Sequence, residues 1–530
     1  MSDDITIDPE RLARIRAVAD DATSGGRTEP NADELARRRR SPQTSAPAPS
    51  SRAGYGPGGG YLLSEMGNAR RFVDANRDRF RYVRPWKTWL AWDGQRWKRD
   101  TTGEAERSAK ETVAGIYADS ARVAQRAADA TLANGSDGLV EVTAESAVVS
   151  RGAEAIGKHA RASDKCSAMG SMLALASTEA ELAADTSAWN ADRDALNVAN
   201  GTLALRTGEL HPHAPGDMIT LLAPVAYDAG APSPTWEAFL ARVLPNTETR
   251  AWIQRYLGYA LTGHVGEQCL AFFIGGGANG KSVMLDVVLE LLGDYGLRAA
   301  PDLVVASHND RHPTELADLD GKRLVVCSEI EQGRSFAEST IKRITGDATI
   351  SARRMHADFY TFAATHKLLV AANTYPNVRG TDDGIWRRMR LVPWTVQIPE
   401  AERDKTLAAR LIADEGPGIL AWLVRGCLDW HANGLGTCDE IERATSHYRA
   451  DEDVLGRWIE DRCDLGAELW HATVSLYQSY TSWCEEEGLD SWTRATWRKR
   501  MIERRGIHDG KRGPRSDVRA LIGIAVRGLP

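Results

Sequence analysis

Eight consecutive residues, Gly275-Gly276-Gly277-Ala278-Asn279-Gly280-Lys281-Ser282, complete the pattern G-x-x-x-x-G-K-[ST]. The residue types suit one chemistry. Glycines reach positive φ and let backbone N–H groups curl around phosphate oxygens. The lysine can reach the β- and γ-phosphates of a nucleoside triphosphate, and the serine hydroxyl can ligate Mg²⁺. All eight residues are candidate nucleotide ligands, with Ser282 also a metal candidate. A Gly-rich turn that binds nothing is the plain alternative. The flanks argue against it: residues 269–274 read as a buried strand and residues 283–292 as a helix apolar on most faces. A helix starting near Lys281 would aim its positive N-terminal end at the same phosphates.

Such a site also needs acid and polar groups from neighbouring strands. Residues 321–331 read as a second buried strand ending in Glu329 and Glu331. A magnesium–triphosphate site needs a carboxylate at such a strand end to hold the metal shell and polarise water. Both glutamates are catalytic candidates, and Glu329 is also a metal candidate. Two apart, they face the same side of an extended chain, and their division of roles is left open. A third apolar run, 367–372, ends at Asn373, whose amide could sense a γ-phosphate or serve as an ordinary turn residue. Between these strands, residues 350–362 read as a hairpin with Arg354 and His356 at a basic tip. After Asn373, Arg387 and Arg388 follow Trp386, either as a solvated or stacked face or as groups reaching a neighbouring subunit's nucleotide.

The remaining chain sets the frame. Its 530 residues predict roughly three domains. A net charge of −7 excludes a basic nucleic-acid coat, so any nucleic-acid site must be local. Seven scattered cysteines without a C-x-x-C pair argue for a reducing compartment and against a zinc module. No signal peptide or membrane-spanning run is visible, so a cytoplasmic protein, in a bacterial host, is expected. Residues 1–60 read as a disordered tail with Arg37-Arg38-Arg39-Arg40 and a Ser/Pro/Ala/Gly tract.

Trp86, Trp89, Trp92 and Trp97 then surround Asp93-Gly94, a two-residue hairpin signal whose aromatics either pack or stack bases. Residues 104–188 are Ala-rich and mostly helical. A second hairpin block, 196–210, turns at Asn200-Gly201 and Thr207-Gly208, and helices are expected at 235–243 and 247–262. The lone D-x-D of Asp192-Arg193-Asp194 receives no assignment. Near the C-terminus, helices at 476–487 and 494–505 carry Arg494 and Arg498. A basic turn with Lys511 and Arg512 precedes an apolar strand at 520–526. Helix, helix and basic wing resemble a winged helix, which makes Arg494, Arg498, Lys511 and Arg512 DNA-binding candidates.

The ordered blocks 275–282, Ser328-Glu329-Ile330-Glu331-Gln332-Gly333, 342–354, Ala372-Asn373 and Ile385-Trp386-Arg387-Arg388 resemble the superfamily 3 helicases. More narrowly they are similar to the phage/plasmid primase-helicase family, related to satellite-phage and poxvirus replication NTPases. The Trp-rich block from Tyr61 resembles the domain that precedes the helicase in that family. The resemblance implies an α/β fold, with an AAA+-like P-loop NTPase core at 231–430 and an α+β domain at 61–230, beside the winged-helix-like module read at 450–530. It implies ATP and Mg²⁺, a homo-hexameric ring, and single-stranded or forked DNA as the track. By motif, Glu329 belongs to the metal and water site, Asn373 is the sensor, Arg387 or Arg388 is a finger acting in trans, and Arg354 and His356 sit on a channel hairpin. Only about 60 residues precede Tyr61, so a primase domain is not expected here, and a separate primase or polymerase is an expected partner. Two function classes stand: an ATP-driven replication helicase, and an ATP-switched initiator or loader without processive unwinding. The helicase part of a primase-helicase is a variant of the first.

Overall fold

A computed structural model gives the structure of the protein and describes residues 60–133, 144–306, 314–331, 333–355, 358–378, 383–512 and 517–528. The tail with Arg37–Arg40, the hairpin-tip residue His356 and the turn residues 513–516 lie outside the described residues. The chain divides into two compact units, Met1–Ala75 with Ala109–Ala176, and Asn76–Ser108 with Ser177–Pro530.

In chain order, α1 (Glu65–Asn76) precedes β1 (Phe80–Val83), β2 (Thr88–Trp92) and β3 (Trp97–Arg99), then α2 (Glu104–Ala133), α3 (Ala144–Ser163) and α4 (Cys166–Ala176). The helices α3, α4 and most of α1 and α2 make the first unit. Small residues let them approach, and polar pairs fix their register: Asn68 Nδ2 donates to Ser163 Oγ at 2.8 Å, and Arg71 pairs with Asp119 at 2.7 Å. The Ala-rich helical segment ends at Ala176, short of the expected 188.

The second unit opens with the antiparallel meander β1–β2–β3. Trp92 pairs with Trp97, so the turn holds four residues, Asp93 to Arg96, not two. Asp93 Oδ1 accepts from the backbone N–H of Gln95 and Arg96 at 2.9 and 2.8 Å, and Gly94 takes φ 98°. Trp97 and Trp189 are buried with Val83 and Leu90, and Trp86 and Trp92 pack against them. The tryptophan face is therefore largely spent on a core. Next come β4 (Ala195–Val198), β5 (Gly201–Ala204) and β6 (Glu209–His211), a second antiparallel meander.

After α5 (Pro234–Val243) and α6 (Thr247–Ala260), the central sheet is assembled. Its elements are β7 (Leu270–Ile274), α7 (Lys281–Leu292), β8 (Gly296–Ala299), α8 (Thr314–Ala317), β9 (Leu324–Ser328), α9 (Glu338–Gly346), β10 (Thr349–Ala352), β11 (Tyr360–Ala363), β12 (Lys367–Ala372), α10 (Asp383–Trp386) and β13 (Met389–Pro393). Strands β7, β8, β9, β12 and β13 form a five-stranded parallel sheet in the order β13-β7-β12-β9-β8, while β10 and β11 pair as a separate hairpin. A parallel sheet must be covered on both faces, and the strand residues divide accordingly. Ala271, Phe273, Leu324, Val326, Leu369 and Ala371 enter one core with α5, α6, α7 and α11 (Leu407–Asn433). Leu270, Phe272, Val325, Cys327, Leu368 and Val370 enter the other with α9 and the hairpin. Phe272 is fully buried, and its truncation to Ala would cost about 3–5 kcal/mol.

Helix α12 (Asp439–Glu452) leads to a terminal module: α13 (Val454–Arg462), β14 (Cys463–Ala472), α14 (Thr473–Glu486), α15 (Arg494–Ile502), β15 (His508–Arg512) and β16 (Val518–Val526). The three strands form an antiparallel sheet ordered β14-β16-β15 around Trp458, Tyr480 and Trp497, whose ring centroids lie 5.7–6.1 Å apart. Helix α13 and strand β14 were not expected from sequence. Helix α15 stops at Ile502, not Arg505. Among the described residues no helix is long and apolar enough to cross a membrane.

Candidate nucleotide site

Three neighbouring strands end at one edge of the central sheet, the edge where parallel α/β sheets present their ligand crevice. Register pairs Ile274 of β7 with Ala372 of β12, and Ala371 of β12 with Ser328 of β9. Gly275, Asn373 and Glu329 therefore leave the sheet close together. With strands about 4.8 Å apart, β7 and β9 stand about 10 Å apart with Asn373 between them, a span fit for phosphoryl groups.

The loop 275–282 turns on positive φ at Gly277 (90°), Ala278 (49°) and Gly280 (87°). A Cβ on Gly275 would lie 2.3 Å from the Trp394 carbonyl oxygen, whereas Gly276 and Gly277 face open space. Trp394 and Ile398, after β13, brace the loop: the Ile398 N–H donates to the Ala278 carbonyl at 2.7 Å, and buried Asn279 donates to the Trp394 carbonyl at 3.4 Å. Nothing in the sequence marked either residue. Helix α7 starts at Lys281 with no side-chain cap and no acidic residue in its first turn, so its N-terminal N–H groups and partial positive charge stay available. Ser282 is exposed in that turn.

Lys281 is 5% exposed. Its Nζ donates to the Gly275 carbonyl at 2.7 Å, Asn279 Oδ1 at 3.2 Å and Asn373 Oδ1 at 3.4 Å. These are neutral oxygens, and burial lowers its pKa to about 8. Such an ammonium is short of negative charge and favours an anion in the crevice. The third hydrogen bond joins the start of α7 to the residue that follows β12. The segment after Asn373 is held by α12: Tyr448 Oη donates to the Pro376 carbonyl, and Glu452 accepts from the Val378 N–H at 2.8 Å.

The glutamates need a correction. Strand β9 ends at Ser328, and Glu329 takes φ 65°, so the alternation argued for an extended 329–331 does not hold. Glu329 and Glu331 are both exposed, with buried Ile330 between them. Ala278 and Glu329 are two of six non-glycine residues with positive φ among the described residues, and both sit at this edge. A non-glycine in the left-handed region costs about 1–3 kcal/mol, and such residues cluster at functional sites. Arg387 and Arg388 lie in a turn after α10. Arg388 is buried and donates to the Gly384 carbonyl at 2.9 Å, while Arg387 is exposed.

The other candidates stand on other elements. Arg354 is exposed at the end of β10 and pairs with Asp318 at 3.5 Å, near exposed Met355 and Phe359. In the terminal module Arg494, Lys511 and Arg512 are exposed, but Arg498 is paired with Asp509 of β15. Asp194 of the D-x-D pairs with Arg206 at 2.7 Å and His264 at 3.0 Å.

The fold and this edge define an α/β core of the NTPase-like class. Residues 69–245 match the family model described as D5 N terminal like, and residues 273–388 match a family of unknown function, DUF5906. The chain is 25% identical over 313 residues to the "Putative helicase L207/L206" of Acanthamoeba polyphaga mimivirus, covering 54% of this chain and 32% of that protein. It is 24% identical over 316 residues to the "Putative primase C962R" of African swine fever virus (isolate Tick/Malawi/Lil 20-1/1983), covering 54% and 33%. The "Putative helicase 022R" of Frog virus 3 is 23% identical over 266 residues, covering 46% and 27%. The chain thus spans about a third of the length of these relatives. A solved apo structure of the NrS-1 C-terminal region overlays 57% of this chain and 78% of its own at 14% identity, with a TM-score of 0.39. By sequence, residues 69–245 are similar to the D5 N terminal like family, and about half of the chain is similar to proteins named as helicases or primases of large DNA viruses.

Proposed function

We propose that this chain is an ATP-dependent DNA helicase of phage or plasmid replication, with an AAA+-like P-loop core at 231–430 acting in a homo-hexameric ring. Relatives named as helicases or primases of large DNA viruses support a replication role. The observation that carries the reading is the convergence at one sheet edge of the 275–282 loop, Glu329 and Asn373, with Lys281 held by neutral oxygens alone.

In this reading the loop N–H groups and the α7 N-terminus cradle the β- and γ-phosphates, and Lys281 exchanges its internal oxygens for phosphate oxygens. The donor set at this edge, an exposed Ser282 hydroxyl and an exposed Glu329 carboxylate, is hard oxygen and fits Mg²⁺, which would neutralise charge on the phosphates. Glu329 orients the attacking water and takes its proton. Asn373, released by Lys281, senses the γ-phosphate. Arg387 of one subunit completes the site of the next. The 61–230 region precedes the core, and the 450–530 module, with its helix–strand–helix–helix–strand–strand order, serves as a winged helix with Arg494, Lys511 and Arg512 toward DNA.

The test measures ATP hydrolysis with and without single-stranded DNA, and unwinding of a forked duplex. Glu329→Gln should bind ATP and hydrolyse it at least about a hundredfold more slowly. ATP turnover without fork unwinding would replace the helicase by the initiator or loader. Unchanged hydrolysis in folded Lys281→Ala would remove the site itself.

A further inference from the structure

Arg298 lies on β8, the edge strand beside β9, opposite Val326. Its guanidinium divides between two partners. Nη1 donates to Ser328 Oγ at 3.2 Å, and Nη2 pairs with the Asp286 carboxylate. Asp286 stands on α7 four residues beyond Ser282, on the same helix face. Ser328 directly precedes Glu329, the residue at φ 65°. One planar cation thus ties the strand that leads into Glu329 to the helix that carries Lys281 and Ser282. The Arg298 and Asp286 side chains are 45% and 51% exposed, so as a surface ion pair they add little to stability. What the arrangement does fix is geometry: a rigid fork with one prong on each element.

We propose that Arg298 is a positioning residue for hydrolysis, acting through Ser328 and Asp286 to hold the Glu329 carboxylate at a set distance from the Ser282 hydroxyl. This rests on the nucleotide-site reading above. Without the clamp the strand end and the first turn of α7 move independently. The carboxylate then samples orientations that cannot serve the water. Nucleotide binding, which depends on the loop and Lys281, is retained.

The experiment compares Arg298→Ala, Arg298→Lys, Ser328→Ala and the double variant Arg298→Ala/Ser328→Ala in the full chain, with Lys281→Ala alongside. ATP turnover, its Mg²⁺ dependence and the affinity for a fluorescent ATP analogue are measured. Arg298→Ala should lower kcat about 10- to 100-fold, the range for partners that orient a catalytic or metal-binding group. It should raise the Mg²⁺ half-saturation point and leave nucleotide affinity within about twofold. Arg298→Lys keeps the charge without the fork and should fall between Arg298→Ala and wild type. The double variant should be no slower than Arg298→Ala, because both changes break one linkage. Wild-type kcat and Mg²⁺ dependence in Arg298→Ala, with Lys281→Ala inactive, would overturn this inference alone. So would multiplying effects in the double variant, or an affinity loss matching the kcat loss, which would make Arg298 a nucleotide contact. Full activity in Lys281→Ala would overturn the site reading and this inference together.

Discussion

The sharpest test of a site shared between subunits lies in the contrast between Arg387 and Arg388. Arg388 is 8% exposed, and its Nη1 donates to the Gly384 carbonyl at 2.9 Å. Arg387, the preceding residue, is exposed. Arg387→Ala should therefore fold normally and lose about 10³–10⁵ in ATP turnover, the scale of an arginine finger. Arg388→Ala should instead destabilise the core by about 3 kcal/mol, since it abandons a charge-assisted hydrogen bond and leaves a void. The decisive assay mixes Arg387→Ala with Lys281→Ala. A productive interface needs its phosphate loop from the first variant and its arginine from the second. In randomly mixed rings at equal amounts, each condition is met half the time, so about a quarter of the wild-type activity should return. ATPase is followed across mixing ratios, with mixed rings verified by native mass spectrometry. Verified mixed rings that stay inactive at every ratio would refute a finger supplied in trans by Arg387. Full activity of Arg387→Ala alone would refute any finger role for it.

Three further outcomes are expected. Gly275→Ala, whose Cβ would lie 2.3 Å from the Trp394 carbonyl oxygen, should distort the loop and weaken nucleotide binding at least tenfold, whereas Gly276→Ala meets nothing within 4 Å and should leave the free protein's thermal stability unchanged; equal melting temperatures and affinities for both would contradict the loop geometry. His366 is 3% exposed, and burial, with Lys367 beside it, lowers its pKa to about 4. The native state keeps it neutral while the unfolded chain protonates it below its ordinary value near 6.5. Stability should therefore fall by about 3 kcal/mol as pH drops across that window. Denaturant midpoints of His366→Leu should lose this acid limb, and an identical pH dependence in both proteins would show that His366 is not its source. Lys511→Ala/Arg512→Ala should lower the log–log salt slope of single-stranded DNA binding by about 1.4, roughly 0.7 per phosphate contact, and an unchanged slope would exclude them as contacts.

The loop 275–282 was legible because its requirement is local. Positive φ at Gly277 and Gly280 is written in the residue type, and the apolar runs of β7, β9 and β12 announce strands buried on both faces. The acidic and amide candidates could be placed at strand ends for the same reason. Which strands lie side by side could not be read. Strand order follows from which faces pack on which helices, so only the folded sheet puts β12 between β7 and β9 and brings Asn373 within reach of Lys281. The left-handed turn at Glu329 has no signature, because a non-glycine there is held by its surroundings. Strand β14 stayed hidden because half of it is exposed and its pairing shifts between Leu465 and Trp470, leaving no apolar alternation. Charge alone did not separate Arg387 from Arg388, or exposed Lys511 from Arg498 locked to Asp509, or mark Arg298 as the link between β9 and α7. Residue identity determined what chemistry this chain is equipped for. Packing, which joins residues far apart in sequence, decided which of those side chains can reach a ligand and which are already engaged.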